Sequence, residues 1–164
     1  MRIGRFTADG QDRIGSFKTD SVIDVTPAFD SFADALSRPD DAERYDGERF
    51  DPGEITHLPP ITDRSAVFCA ALNYRKHAEE SGRPVPERPY LFTKFARSLV
   101  GNGEPISYHS SVTNEIDYEG ELACIIGSSC RHVSAEEALQ HVAGYTVLND
   151  VSARDLQLSF SYDD

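Results

Sequence analysis

The chain has 164 residues, which is enough for one domain, or for a compact domain with a small appendage, around a buried core. Its 28 acidic and 16 basic residues give a formal net charge of −12, so nucleic acid and anionic membrane surfaces would be repelled. No apolar run reaches the roughly 18 residues of a membrane span, and the N-terminus lacks the apolar stretch of a secretion signal. We therefore expect a soluble, cytoplasmic protein that binds neither nucleic acid nor membrane.

The cysteines and lysines further restrict the kinds of protein that this sequence can encode. The three cysteines include no Cys-x-x-Cys pair, which argues against a disulfide framework and a zinc knuckle. Only three lysines occur, whereas carboxylates are dense in the first sixty residues. A halophilic-type acidic surface, adapted to high salt that screens carboxylate repulsion, is our hypothesis for this composition.

Residues 1–60 predict a small β-rich N-terminal region. Short β-like runs occupy 1–6, 13–17 and 22–25, and a short helix is expected at 29–36. The stretch 38–60 is acidic and rich in proline and glycine, which is typical of a linker or a surface loop.

A second region, 61–164, begins with longer strand patterns. The apolar run 66–72 has the length of a buried strand, and the polar segment NYRKHAEESGRPVP after it predicts one or two helical turns and a loop. Strands are also predicted at 89–95 and 116–126.

A helix with a well-marked start follows these strands. Ser134 can accept a hydrogen bond from the backbone N–H of Glu137 while Glu137 reaches back, which is the capping-box pattern. Gly144 is expected to end this helix. The next apolar strand, 145–149, would deliver Asp150 at its end.

Glu119 and Glu121 are the residues with the clearest chemistry. Side chains alternate along a strand, so both glutamates share one face with Asp117. Such close carboxylates stay ionised together only beside a cation, and Asp150 could complete an oxygen site for Mg²⁺ or Mn²⁺. The spacing alone equally allows both glutamates to lie on the solvated face of an edge strand.

Three motifs, in order, resemble the fumarylacetoacetate hydrolase family. They are LNYRKHAEESGRPVPERPYLFTK, IDYEGELACIIG with the following HVSAEEALQHVAGYT, and LNDVSARDLQ. The metal ligands of that family are the glutamates of its Y-E-x-E motif and the aspartate of N-D-x-S-A-R-D. The resemblance therefore implies a metal site at Glu119, Glu121 and Asp150, which strand alternation also favours.

The resemblance also implies catalytic roles for His77 and Glu80. Helical residues at i and i+3 are neighbours, so Glu80 can orient the His77 ring and stabilise its protonated form. In the family the matching pair lies on a lid and acts as the acid–base dyad. An ordinary exposed histidine on a mobile loop is the alternative.

Four further residues are candidates for substrate binding. Arg154 follows Asp150 by four residues and could grip a substrate carboxylate, or it could form a salt bridge to Asp155 or to a metal ligand. Lys94 resembles a lysine of the family, although the family usually follows it with proline and this sequence has Phe95. Tyr74 and Arg75 lie in the same loop as His77.

The implied fold is α+β and mainly β, a mixed β-sheet roll or sandwich preceded by the small N-terminal region. The implied function is a metal-dependent hydrolase, isomerase or decarboxylase of small anionic 2-oxo acids or their enols, acylpyruvate- or hydroxymuconate-like, in aromatic catabolism. A dehydratase of 2-keto-3-deoxy sugar acids is the alternative within the family. Family members usually form homodimers, so we expect a homodimer.

Family members continue beyond the point where this sequence stops, through a Gly-Lys segment whose lysine reaches the active site. We therefore expect a fragment or a truncated product with an incomplete C-terminal part. A catalytically incomplete chain that binds metal or a partner subunit without turnover is a further alternative. Exposed strand edges would then favour self-association.

Overall fold

The structure, a computed structural model, describes residues 1–62 and 64–159. Its N-terminal part is a five-stranded antiparallel sheet of strand order β4-β3-β2-β1-β5. The strands are β1 Ile3–Ala8, β2 Gln11–Phe17, β3 Val22–Asp24, β4 Arg49–Phe50 and β5 Thr56–Leu58. Asp9 and Gly10, both with positive φ (51° and 72°), form the tight turn between β1 and β2.

Apolar side chains cover both faces of this sheet because neighbouring residues along a strand point to opposite faces. One cluster joins Ile14 and Ile23 to two short helices, α1 Phe32–Ser37 and α2 Pro39–Arg44. The other cluster contains Phe6, Ala8 and Val22. The N-terminal part thus has its own core.

The stretch 38–60 differs from the expected linker. It contains α2, β4 and β5, and the last two form the two edges of the N-terminal sheet. Strands of two and three residues carry too few side chains to show an alternation in the sequence, and their pairing partners define them.

The next element is an antiparallel hairpin, β6 Ala66–Ala71 with β7 Tyr90–Phe95, and helix α3 Arg75–Glu80 lies in its connection. Both predicted strands are confirmed. The expected burial of β6 is wrong, because its residues alternate between half-buried and exposed and Phe68 is 69% exposed.

The predicted long strand 116–126 is interrupted at Tyr118 and Glu119. It forms β8 Ile116–Asp117 and β9 Gly120–Ile126. β9 pairs antiparallel with β10 Val142–Asn149, and β8 pairs with β11 Ser152–Ala153, which leads into helix α5 Arg154–Ser159. The interruption lets one continuous segment contribute to two different sheets.

The capping box of Ser134 and Glu137 is confirmed at the start of α4 Ala135–Ala138. The prediction that Gly144 ends this helix is wrong. A 3-10 turn, Leu139–His141, follows α4, and Gly144 lies within β10, where the register with β9 shifts.

The α+β, mainly β fold class is confirmed. In the part of the chain described, the strand pairings are antiparallel. Within the same residues, no helix has the length and apolarity needed to cross a bilayer. The chain's last five residues, on which the expected truncation bears, lie outside the described residues.

Candidate active site

The β9–β10 pairing brings together the backbones of the three predicted metal ligands. Glu121 lies opposite Leu148, and Gly120 lies opposite Asn149. Just beyond the last rung, the backbone N–H of Asp150 donates to the carbonyl oxygen of Glu119 at 2.8 Å. Glu119, Glu121 and Asp150 therefore occupy neighbouring rungs of one antiparallel pair.

The three predicted ligands are also less exposed than the residues next to them in the chain. Asp150 is only 6% exposed, and Glu119 and Glu121 are half-buried, whereas Gly120 and Leu122 are exposed. The strand interruption does not break the alternation, since both glutamates point away from the face of Leu122. This placement favours the inward orientation over the solvated-face alternative.

Lys94 neutralises Asp150. Its ammonium forms an ion pair with the Asp150 carboxylate and lies 3.5 Å from the carbonyl oxygen of Val151. Asp150 Oδ1 is enclosed and, among the described contacts, accepts no well-directed hydrogen bond. The Lys94 ammonium pairs with this same oxygen, so a metal cation at Asp150 Oδ1 would have to displace it.

The Cys69 thiol lies within electrostatic range of the three predicted metal ligands. Burial raises the pKa of the Cys69 thiol, the negative charge of Asp150 raises it further, and Lys94 opposes that effect. Glu121 and Glu119 add smaller contributions in the same direction as Asp150. The charges of all three predicted ligands thus act on one half-buried thiol.

Arg154 holds Glu119 from the other side. Its guanidinium donates to Asp117 Oδ2 at 3.0 Å, to Glu119 Oε1 at 2.5 Å and to Gln157 Oε1 at 2.7 Å. Burial lowers the pKa of Arg154, but the hydrogen bonds to Asp117 and Glu119 outweigh it, so the net pKa is raised. The ion pair to a predicted metal ligand, which the sequence left open, is therefore the contact present.

The pair of Arg154 with Asp155 does not form. Asp155 instead accepts hydrogen bonds from the Thr113 hydroxyl at 2.6 Å and from the backbone N–H of Asn114 at 3.2 Å. A substrate contact for Arg154 stays a prediction.

A cleft of about 260 Å³ joins α3 to the carboxylates. It is lined by Tyr74, His77, Glu119, Gly120, Glu121 and Arg154. Five of these six residues are predicted site residues. The cleft places an imidazole opposite two carboxylates, an arrangement that suits proton transfer beside a cation.

The other candidates lie around this cleft and not in its lining. Glu80 and Arg75 are exposed on α3, whereas Lys94 is half-buried and Asp150 is buried. Within the described residues, no hydrogen bond links His77 to Glu80, so the dyad stays a prediction.

The described side chains do not form a complete metal-binding site. In residues 1–62 and 64–159, no three His, Cys, Asp or Glu side chains lie close enough together to hold one ion. Arg154 and Lys94 hold Glu119 and Asp150 in ion pairs, whereas the ladder fixes the backbone of all three ligands. The metal site stays a prediction whose ligands would have to leave their basic partners by side-chain rotation.

The sequence did not identify two positioning residues. Asn149 Oδ1 accepts the backbone N–H of Glu119 at 3.2 Å, and Asp117 shares the Arg154 guanidinium with Glu119. Asp117 had a signal, because alternation placed it on the glutamate face. Asn149 had none beyond its position next to Asp150, since its contact depends on the strand pairing.

Comparison with known proteins identifies the family of residues 66–161. A family model described as "Fumarylacetoacetate (FAA) hydrolase C-terminal" matches residues 66–161. Oxaloacetate tautomerase YisK from Bacillus subtilis (strain 168) is 45% identical over 103 residues, which are 62% of this chain and 34% of that protein. The chain therefore spans about a third of that curated relative.

Two solved structures share the fold over nearly the whole chain. Fumarylacetoacetate hydrolase from psychrophilic Exiguobacterium antarcticum is 36% identical, with a TM-score of 0.71. The match covers 96% of this chain and 58% of that protein's chain. 5-Carboxymethyl-2-hydroxymuconate delta-isomerase from Mycobacterium smegmatis is 30% identical, with a TM-score of 0.74, and covers 98% and 58%. Because the matched family region is more than half of the chain and contains the cleft and all three predicted ligands, the chain belongs to the fumarylacetoacetate hydrolase family.

Proposed function

We propose that this chain carries the metal site and the acid–base histidine of an enzyme that moves a proton on a small 2-oxo acid or its enol. Keto–enol interconversion of an oxaloacetate-type acid is the reaction we favour. The observation that carries the proposal is the cleft in which His77 faces Glu119 and Glu121. A relative named as an oxaloacetate tautomerase, 45% identical over its matched part, supports the choice of substrate.

The residues fit a hard divalent cation such as Mg²⁺ or Mn²⁺. Glu119, Glu121 and Asp150 offer carboxylate oxygens, and the enclosed Asp150 Oδ1 already pairs with one cation, the Lys94 ammonium. Oxygen ligands of this kind suit Mg²⁺ and Mn²⁺ better than Zn²⁺. When bound, such an ion acts as a Lewis acid on the keto oxygen of the substrate.

The side chains of this chain would carry the proton. The neutral His77 imidazole would take a proton from the carbon next to the keto group, and the protonated ring would then give it to the enolate oxygen; the reverse transfer restores the keto form. Glu80, one helical turn later, would stabilise the protonated ring. Asn149 would keep the Glu119 backbone in place, Arg154 would release the Glu119 carboxylate to the ion, and Lys94 would offset the charge of Asp150 or meet the substrate carboxylate.

Two alternatives have specific support. The likeness to the muconate isomerase structure favours an isomerase of unsaturated dioates, which needs the same proton transfer over a longer substrate. Lys94 and Arg154 form ion pairs with two predicted ligands and would compete with a metal cation for them. This favours the alternative that the chain binds metal or a partner subunit without turnover. The dehydratase of keto-deoxy sugar acids and the homodimer are proposals that rest on the family resemblance, and the cytoplasmic location is a proposal that rests on the sequence pattern.

The test measures metal binding first and turnover second. Titration calorimetry with Mn²⁺ should show one site, and Glu121→Gln should weaken it by at least about 100-fold because a ligand is lost. Glu54→Gln, an exposed glutamate of the N-terminal part, is the matched control and should bind Mn²⁺ as the unaltered chain does.

Turnover is then assayed with Mg²⁺ on oxaloacetate, acetylpyruvate and a 2-keto-3-deoxy sugar acid. We expect accelerated enol–keto interconversion of oxaloacetate, followed by ultraviolet absorbance, and its loss in His77→Gln. If Mn²⁺ binds while all three compounds remain unchanged, binding without turnover is the correct description and the enzymatic proposal fails.

A further inference from the structure

Tyr74 makes a long-range contact that the proposed chemistry leaves unexplained. Its hydroxyl accepts a hydrogen bond from the backbone N–H of Leu122 at 3.0 Å. Leu122 lies opposite Val147 in the β9–β10 ladder, and backbone groups of successive residues in an antiparallel strand point alternately to the partner and to the outer edge. The Leu122 N–H therefore points to the outer edge of β9, where Tyr74 meets it.

Tyr74 also accepts the first backbone hydrogen bond of helix α3. Its carbonyl oxygen accepts the backbone N–H of Ala78 at 3.1 Å, and α3 begins at the next residue, Arg75. Its side chain holds the edge of β9 and its main chain holds the first turn of α3. His77 lies within that turn, so its distance from β9 depends on Tyr74.

Among residues 1–62 and 64–159, little else fixes α3 to the rest of the chain. Ala78 is the only buried residue of this six-residue helix, and a methyl group buries little apolar area. A helix of this length is not stable by itself. One hydrogen bond between its N-terminus and β9 is therefore a large part of what determines its position.

We propose that Tyr74 is a positioning residue, which fixes His77 over Glu119 and Glu121 by anchoring α3 to the edge of β9 through the Leu122 amide. The inference rests on the proposed function for the role of His77, but the anchor itself can be measured without turnover. The expected role of Tyr74 as a substrate-binding residue stays a prediction, which the turnover measurement below distinguishes from positioning. The tyrosine hydroxyl accepts in this bond, so its own proton is not used to form it.

The decisive variant is Tyr74→Phe, which keeps the ring and removes the hydroxyl. Hydrogen exchange, read by amide-resolved NMR on the full chain, should become about tenfold faster at Leu122 and through α3, since one net hydrogen bond is lost. The N-terminal sheet should exchange as before. Tyr145→Phe is the control, because Tyr145 lies on the exposed face of β10 and should alter none of these rates.

A measurement on the unaltered chain keeps the proposal testable even if the variant folds poorly. The amide of Cys124, two residues along β9, points to the same edge and is not reached by Tyr74. Leu122 should exchange more slowly than Cys124. Equal rates at the two amides, or an unchanged Leu122 rate in Tyr74→Phe, would overturn the proposal.

Turnover separates positioning from substrate contact. If the chain interconverts oxaloacetate, Tyr74→Phe should lower kcat about tenfold, with KM and the Mn²⁺ dissociation constant unchanged. A raised KM with normal exchange at Leu122 would instead identify Tyr74 as a substrate contact. Failure of all turnover would refute the proposed function and leave the exchange result to decide the anchor.

Discussion

Lys94 and Arg154 each hold one predicted metal ligand, but they differ in how deeply their partners are buried. The Asp150 side chain is 6% exposed, whereas the Glu119 side chain is 21% exposed. A buried carboxylate that loses its partner retains a desolvated charge, which is costly. Lys94 should therefore matter more for stability than Arg154.

Lys94→Met tests this charge balance. Because Lys94 is itself partly solvated, we expect a loss of ~1–3 kcal/mol in the free energy of unfolding, below the full cost of breaking a deeply buried pair. Mn²⁺ should raise the melting temperature of the variant more than that of the unaltered chain, since the ion replaces the lost positive charge. Both quantities are measured by thermal and urea unfolding with and without Mn²⁺.

Lys18→Met provides the comparison for this variant. Lys18 forms a 3.8 Å ion pair with Glu43 at the surface, and such pairs contribute about 0–1 kcal/mol. A Lys94→Met chain no less stable than Lys18→Met would show that Asp150 does not need a cation.

At the scale of elements, helix α5 is attached to β8, the short strand that precedes the two glutamates. The backbone N–H of Arg154 donates to the carbonyl oxygen of Glu115 at 2.8 Å, and β11 pairs with β8. Asp155 adds its hydrogen bonds from Thr113 and Asn114. The position of Asp150 is thus fixed on one side by β10 and on the other by α5.

This attachment should be sensitive to acid. The hydrogen bond from Thr113 lowers the pKa of Asp155, burial opposes it, and backbone N–H groups lower it further. A carboxyl group whose pKa is lowered by folding adds stability above its unfolded pKa of about 3.9, and this is lost as the pH falls through the folded pKa. Asp155→Asn should therefore be less stable than the unaltered chain at pH 6, with the difference shrinking below about pH 4.

Urea unfolding at a series of pH values measures this difference. Asp20→Asn, in an exposed turn, should track the unaltered chain at each pH. A difference for Asp155→Asn that stays constant between pH 6 and pH 3 would contradict the role assigned to the ionised carboxylate.

At the scale of the whole molecule, two of the three two-stranded sheets in the described residues expose apolar faces. On β9–β10 the exposed side chains include Leu122, Ile126, Tyr145 and Val147, the last 83% exposed. On β6–β7 they include Phe68, Leu91 and Phe95, the last 86% exposed. Contiguous exposed apolar surface favours association.

We expect the chain to self-associate through these faces. Sedimentation velocity should show species larger than the 18.2 kDa monomer that grow with concentration. Phe95→Lys combined with Val147→Lys should shift the distribution toward monomer, because burying two ammonium groups is costly. Leu139→Lys, at an exposed turn outside both faces, is the control, and a monomer at all concentrations would contradict the expectation.

The acidic surface remains a separate prediction. If dense carboxylates repel one another, molar KCl should raise the melting temperature relative to low salt because screening weakens that repulsion. An unchanged melting curve would count against adaptation to high salt.

The sequence by itself determined the features that depend on neighbouring residues. Ser134 and Glu137 are three residues apart, so their capping box needs only a helical turn. The alternation that placed Glu119 and Glu121 on one face is likewise a property of a single strand, and the main strands after residue 60 follow from their apolar runs. The motifs that carry the family resemblance are also local.

Only the tertiary structure decided which groups meet across the chain. The two-residue strand β4 exists because β3 pairs with it, and the exposure of β6 depends on what packs against it. The partners of Lys94, Arg154 and Tyr74 likewise lie far away in sequence, and only the fold brings them within hydrogen-bonding range. Ion pairs and hydrogen bonds act only over a few ångströms, so residue order alone could not assign these contacts.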